Sequence, residues 1–394
     1  MSSAEYNTAI SVIIPVYNTA DCLSRCLDSV LHQSMHNIEI ICINDGSTDH
    51  SLQVLEAYAE KDGRIRVYSQ PNKGAGAARN EGISLAAGKY IQFTDSDDFM
   101  DSGMLEVLFR RAEETNADIV QSRFRKYNPE TGQYGKPDGL KVDVLNGHPV
   151  FSAKDFGGTV TEICTPGPCT NLYRTAFLKD AQVRFPETRN TEDAFFVFMS
   201  VLLAERVSWI KDACYSYRDR DGSLHNTAYN HPLAFIEVEE SILEDLYRRK
   251  LWPAAQKAFT VNSVNNCYYA LRRLYSSPSA LAAVLDRLIF DYFPKTKILE
   301  SPESWYERLD DYYLLKDLYN RALAFKDSSD WIHVPGMSQG EENLFNMERF
   351  AKEHIIRVLE DKKDNLKTTN TYRTAEFIAR VPRKLRGVLK QKKH

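Results

Sequence analysis

Nowhere in this 394-residue chain do about 18 consecutive apolar residues occur, so no transmembrane helix is expected. The segment Met1 to Thr8 is polar and lacks a basic region followed by an apolar run, which argues against secretion. Cysteine is sparse and odd in number: seven residues scattered at Cys22, Cys26, Cys42, Cys164, Cys169, Cys214 and Cys267, mostly within apolar patterns. That distribution is no disulfide framework and points to a reducing cytosol. Cys22 and Cys26 stand one helical turn apart, but no second pair at zinc-finger spacing follows, so packing is the better reading. Fixed-period repeats and low-complexity tracts are also lacking.

What is present reads as ordinary globular protein, 43% hydrophobic and 26% charged, long enough for two or three domains. The formal charge of -4 hides an asymmetry, because Arg373 to His394 carries eight Lys/Arg against one Glu. The remainder is therefore acidic, which disfavours nucleic acid as a partner.

Ile10 to Val16 is a β-branched run without charge, as expected of a strand buried on both faces of a parallel sheet. Asp21 to Gln33 follows with a helical stripe through Leu23, Leu27, Val30 and Leu31. Strands at Ile38–Ile43, Ile65–Tyr68 and Tyr90–Thr94 alternate with helices at Asp49–Ala59 and Ala75–Ala86. A βαβαβαβ order requires right-handed crossovers and places ligands at the carboxyl ends of the strands. Beyond Phe124 the alternation breaks; Tyr127 to His148 predicts a long loop or hairpin, Asn190 to Ala204 a helix, and Val207–Ile210 and Ala213–Arg218 two short strands. From about Pro232 the helical stripes are interrupted at Pro253, Pro278, Pro294 and Pro302, which suggests a second, all-helical domain.

Four polar clusters fall at strand ends. In Pro15-Val16-Tyr17-Asn18, the proline ends sheet pairing, Tyr17 can lie flat against a base, and Asn18 begins a helix. In Asn44-Asp45-Gly46-Ser47-Thr48-Asp49, Gly46 permits a tight turn and Ser47 to Asp49 can cap a helix, which leaves Asp45 free to accept from a base imide. Asn72 to Asn80 is rich in small residues and carries Lys73 and Arg79, but it fits neither a dinucleotide fingerprint nor a Walker loop. In Asp95-Ser96-Asp97-Asp98, carboxylates crowd at a buried strand end, where a hard cation or hydroxyl donors would neutralise them. Asp95 is placed for a ribose hydroxyl, with Ser96 beside it, and Asp97 for a divalent ion between two phosphates.

Taken in this order, the clusters resemble the nucleotide-binding half of family 2 glycosyltransferases with the GT-A fold, over roughly Ala9 to Asn226. The resemblance implies a Rossmann-like α/β catalytic domain with a mostly parallel central sheet at 1–228, to which the helical stripes add a helical C-terminal domain at 229–372 and the charge run a basic amphipathic tail at 373–394. It further implies that Tyr17 and Asp45 hold the base; from the clusters themselves, Pro15 and the positive charge of Lys73 are expected beside the donor. Arg79 would lie by the nucleotide, and Asp95 and Asp97 would bind ribose and Mn²⁺ or Mg²⁺. The implied donor is a UDP-sugar. Thr191-Glu192-Asp193 is similar to the family's E-D motif, whose aspartate deprotonates the acceptor hydroxyl, so Asp193 is the expected base and Glu192 its neighbour. On the residues alone, such an acidic pair is helix-dipole complementation. Tyr217 to Asn226 resembles the closing segment, with Arg218 and Arg220 for the diphosphate and His225 as a further metal or phosphate contact, or else a charged surface loop. Relatives often carry Lys where Asn171 stands, which leaves the acceptor contacts open.

The expected function is therefore an inverting, metal-dependent transferase acting on a glycan or lipid-linked glycan, in bacterial surface polysaccharide synthesis. Phe377, Ile378, Val381, Leu385, Val388 and Leu389 fall mainly on one face of the tail, which suits an anionic bilayer and a peripheral place on the inner face of the membrane. A non-catalytic scaffold of the same fold and a nucleotidyltransferase are the alternatives. The latter would need a Gly-rich loop directly after the first strand, where Pro15 to Asn18 stands.

Overall fold

The computed structural model describes residues 6–156, 160–165, 167–186, 191–219, 231–274, 277–306, 309–333 and 337–352. The first half runs β1 (Ile10–Val16), α1 (Ala20–Leu31), β2 (Ile38–Asn44), α2 (Ser51–Ala59), β3 (Ile65–Ser69), α3 (Ala75–Leu85) and β4 (Tyr90–Phe93), the expected alternation within a residue or two. It continues with β5 (Phe99–Met100), α4 (Met104–Thr115), β6 (Ile119–Tyr127), α5 (Val142–Leu145), β7 (Val150–Phe151) and α6 (Val160–Ile163). Then come β8 (Asn171–Arg174), α7 (Thr175–Asp180), α8 (Glu192–Leu203) and β9 (Val207–Arg218).

Among the described residues these strands form one sheet ordered β3-β2-β1-β4-β8-β6-β9-β5, with β7 on β9. β1, β2, β3, β4, β6 and β9 share one direction, while β8, β5 and β7 oppose it. Ile10, Val12, Ile13, Ile14, Ile40 and Ile41 are fully buried, because helices cover both faces of the strands that carry them. Gly82 makes one cover possible: a Cβ there would stand 2.3 Å from the Ile13 side chain, so α3 can sit this close to β1 only on glycine.

Two expectations are corrected. The two short strands after residue 207 are one strand, β9, whose register against β6 shifts twice between Gln121 and Phe124. Such a shift interrupts the side-chain alternation on which a reading of strand length depends. Pro15 does not end pairing altogether. It stays in register with Ile43 on the β2 side, whereas the β4 side ends at Ile13 and Phe93. The expected hairpin after Tyr127 is present as bridges from Phe124 to Asp138 and from Tyr127 to Tyr134.

The second half is helical: α9 (Ala234–Arg248), α10 (Trp252–Leu274), α11 (Pro278–Arg287), α12 (Phe293–Thr296), α13 (Leu309–Lys326) and α14 (Gln339–Phe350). α9 is held to the first half at both ends. The Thr191 hydroxyl donates to the Ala234 carbonyl at 3.2 Å, and Arg249 donates to the carbonyls of Ala181 and Gln182 at 2.7 and 2.9 Å. The boundary expected at residue 228 and the tail 373–394 lie outside the described residues.

Inside this half Glu239 is 1% exposed and accepts from Asn262 and Asn266 at 3.2 and 2.6 Å. Burial pushes its carboxyl up to about 7, against the pull of its hydrogen-bond donors Asn266 and Ser263. The folded state thus keeps a proton that the unfolded chain releases at lower pH, and stability should fall as pH rises from about 4.5 toward 7. Glu239→Gln is expected to remove that fall. Thermal melting should show the variant level with the parent at pH 5 and above it at pH 8.

Candidate active site

The carboxyl ends of β1, β2 and β4 lie side by side, and the turns leaving them interlock. Asn18 adopts φ 52° and its side-chain oxygen accepts from Thr48 N at 2.8 Å and Asp49 N at 3.3 Å, so it does not begin the helix as expected. Instead Asp49 caps two helices, accepting from Ala20 N at 3.0 Å and Ser51 N at 2.9 Å. Burial pushes the Asp49 carboxyl up, and the donors from Ser51 and Ala20 more than reverse it. Gly46 is at φ 71° with Asn72 N 2.9 Å from where a Cβ would be, so only glycine fits this turn. Tyr17 stands above the turns, 47% exposed, with its ring available to a flat ligand.

Asp45 is not the free acceptor that the sequence suggested. It is 2% exposed, and its carboxylate accepts from Gln70 Nε2 at 2.7 Å, Lys73 N at 2.9 Å and Gly74 N at 2.8 Å. It therefore shapes the loop before α3. Lys73 contributes its backbone N–H there, and the residue is exposed. The small residues of α3 serve a close approach: a Cβ on Gly76 would lie 3.1 Å from the Glu192 side chain and from the Pro186 carbonyl.

That approach puts Arg79 at the centre of the site. Arg79 is 3% exposed, and its guanidinium donates to Asp95 at 2.7 Å, Asp193 at 2.9 Å and Glu192 at 3.1 Å. The sequence placed Arg79 beside a nucleotide; the structure makes it the bridge between the carboxylates behind β4 and those opening α8. Phe185 lies 5.2 Å beneath the guanidinium and stacks on Phe196 at 3.9 Å, while Phe93 meets both rings edge-on. α8 thus starts at a defined height over the end of β4. Loss of water pushes the Asp193 carboxyl up to about 7; Arg79 pulls it down, and Glu192 and Asp95 raise it. Its side chain remains 38% exposed, and this open edge keeps it reachable and favours the lower side of that value.

In the turn behind β4, Asp95 and Asp97 are half-buried, while Ser96 and Asp98 are buried. Ser96 accepts from Thr19 at 3.0 Å and is 5% exposed, so it braces the turn and does not line the opening as expected. Asp98 accepts from the Tyr215 hydroxyl and from Arg218 N, each at 2.8 Å. Burial, then Asp97 and Asp95, push its carboxyl well above the usual range. The sequence named Asp98 within the tetrad without a role of its own and gave no sign of Tyr215, because a short acidic run does not say which member turns inward. Arg218 touches the turn through its backbone, and its side chain is half-buried; Arg220 and His225 lie outside the described residues. Asn171, where relatives often carry Lys, is fully buried and donates to Gly167 O and the Tyr173 hydroxyl.

Among the described residues no group of three or more His, Cys, Asp or Glu forms a closed cation cage. Asp97, with Asp95 beside it, offers hard oxygen donors at a half-buried turn. This suits Mg²⁺ or Mn²⁺ held by one or two carboxylates and completed by a ligand's phosphates.

The family model described as glycosyl transferase family 2 matches residues 11–180. The chain is 33% identical over 242 residues to the glycosyltransferase GlyG of Streptococcus pneumoniae, covering 60% of this chain and 80% of that relative. It is 35% identical over 221 residues to the uncharacterized glycosyltransferase EpsJ of Bacillus subtilis, covering 56% of this chain and 64% of that one. The crystal structure of S. aureus TarS 1-349 in complex with UDP-GlcNAc superposes with a TM-score of 0.54 at 22% identity, covering 80% of this chain and 92% of that chain, a likeness of fold.

Proposed function

The chain belongs to glycosyl transferase family 2 and is a glycosyltransferase, and on that premise we propose that it moves a sugar from a UDP-sugar to a hydroxyl of a glycan or lipid-linked glycan, with inversion at the anomeric carbon. The observation that carries this reading is the shared guanidinium of Arg79, to which Asp95 and Asp193 are both bound. A donor held at Asp95 and an acceptor deprotonated by Asp193 would then meet in one cleft. Tyr17 offers an open ring on which a base can stack, and uridine is the favoured base because TarS, of the same fold, holds UDP-GlcNAc.

Asp193 accepts the proton of the attacking hydroxyl at its open edge, while Arg79, itself bound to Glu192, holds the carboxylate in place. Attack from the Asp193 side and departure toward the Asp95–Asp97 turn place nucleophile and leaving group on opposite sides of the sugar, hence inversion. A divalent cation at Asp97, when bound, supplies charge neutralisation to the leaving diphosphate.

Calorimetry with a panel of nucleoside diphosphates and UDP-sugars tests the donor. Heat selective for UDP and one UDP-sugar, present with Mn²⁺ and lost with chelator, is expected. Silence across the panel would remove the reading.

We assign the acceptor to bacterial surface polysaccharide assembly, and the basic tail 373–394 to an anionic bilayer on the cytoplasmic side, where each basic residue contributes about 1 kcal/mol. Deleting Arg373 to His394 should abolish binding to phosphatidylserine-containing vesicles while activity on a soluble acceptor persists. Equal vesicle binding by the shortened protein would refute the assignment.

A further inference from the structure

We propose that Tyr215 is a positioning residue for the donor side of the site, acting with Asp98 through the backbone of Asp95; this rests on the reading of Asp95 and Asp97 as donor contacts. The Tyr215 hydroxyl sits in the mouth of the 95–98 turn. It donates to Asp98 Oδ2 at 2.8 Å and accepts from Asp95 N at 3.2 Å. Asp98 N donates in turn to Asp95 O at 3.1 Å, and Arg218 N donates to the second carboxylate oxygen, Oδ1, at 2.8 Å. Tyr215 and Asp98 are each 2% exposed, so water does not stand in for either partner.

The chemistry explains the residue type. A hydroxyl both donates and accepts, so one atom satisfies a carboxylate oxygen and an amide N–H that would repel each other's partners. Phenylalanine at this place keeps the packing and strands both groups in a buried turn, which relaxes by rotating the peptide before Asp95. That rotation re-aims the Asp95 carboxylate, which must reach Arg79 on one side and the donor on the other, and carries Asp97 with it. Tyr215 is placed for this task from outside the turn. It lies in β9, opposite Phe124 of β6 and Met100 of β5, and so is fixed by strands on both flanks.

Tyr215→Phe is expected to weaken Mn²⁺-dependent UDP binding and to raise the KM for the donor by about tenfold or more, the usual effect of removing a residue that orients a binding carboxylate. The kcat with saturating donor should change far less. Amide exchange at Asp95 should quicken in the ligand-free variant. Asp98→Asn should act in the same direction, and the double variant should be no worse than the more affected single one, since both break one unit. Tyr292→Phe removes a buried hydroxyl bonded to Ser263 at 2.6 Å in the helical half, and controls for lost stability alone. If Tyr215→Phe lowers the melting temperature as Tyr292→Phe does but leaves UDP affinity and donor KM within twofold of the parent, Tyr215 is only structural. Absence of UDP binding by the parent itself would overturn the donor reading and this proposal together, an outcome distinct from the first.

Discussion

Asp193→Asn is expected to lower turnover by about 100- to 10,000-fold while leaving metal-dependent UDP binding intact, the range usual for loss of a general base. The amide can still accept from Arg79, so α8 keeps its place; what disappears is the ability to take a proton. The pH dependence of the parent provides a second check. Burial pushes the Asp193 carboxyl up to about 7, and only its ionised form acts as base, so kcat should climb as pH rises through roughly that value. An Asp193→Asn variant with unchanged turnover would remove Asp193 as the base and leave the donor site standing.

Replacing Arg79 should have the widest consequences, since one side chain holds three carboxylates at 2.7 to 3.1 Å. Arg79→Met leaves Asp95, Glu192 and Asp193 to repel one another around an apolar stem. Breaking a buried pair in this way costs about 3–5 kcal/mol, and the open edges of Asp95 and Asp193 put the expected loss at the lower end. Turnover at pH 7 should fall by at least about 100-fold, with UDP binding and catalysis both damaged, because the bridge serves both sides. Arg79 lowers the Asp193 carboxyl, so the rising limb of activity should also move to higher pH. Arg79→Lys retains the charge, but a single ammonium cannot match a planar fork directed at separate carboxylates. Partial activity with an intermediate limb is expected for it. A melting curve and a pH profile of Arg79→Met identical to the parent's would show that the bridge is incidental.

The alternation from β1 to β4 was legible because short apolar runs, richest in β-branched residues in β1 and β2, mark the strands, and a 3.6-residue stripe marks α1 between them. The turns after β1 and β2 were legible as turns, yet their partners were not. Asn18 looked like a helix start and instead receives N–H groups from the next loop, 30 residues away. Asp45 looked available, and its three donors come from residues 70 to 74. Later strands were harder still. β8 is four residues long and antiparallel to both of its neighbours, β4 and β6, and β9 is disturbed by its register shifts, so neither carries a clean period.

Composition and local pattern alone determined that this is a globular α/β chain with a helical second half. They also determined that acidic groups collect at the carboxyl ends of its strands, and which residue opens the α8 carboxylate pair. These follow from short-range rules of strand burial, helix periodicity and turn chemistry. Tertiary structure decided which of those groups meet. Arg79 and Asp193 are 114 residues apart and Tyr215 and Asp98 are 117 apart, and each pair is joined only because the sheet order places β4, α3, α8 and β9 around one edge. Burial was decided at the same level: of four consecutive residues, Ser96 and Asp98 turn inward and Asp95 and Asp97 toward the opening, a choice made by Thr19, Arg218 and Tyr215 across the turn.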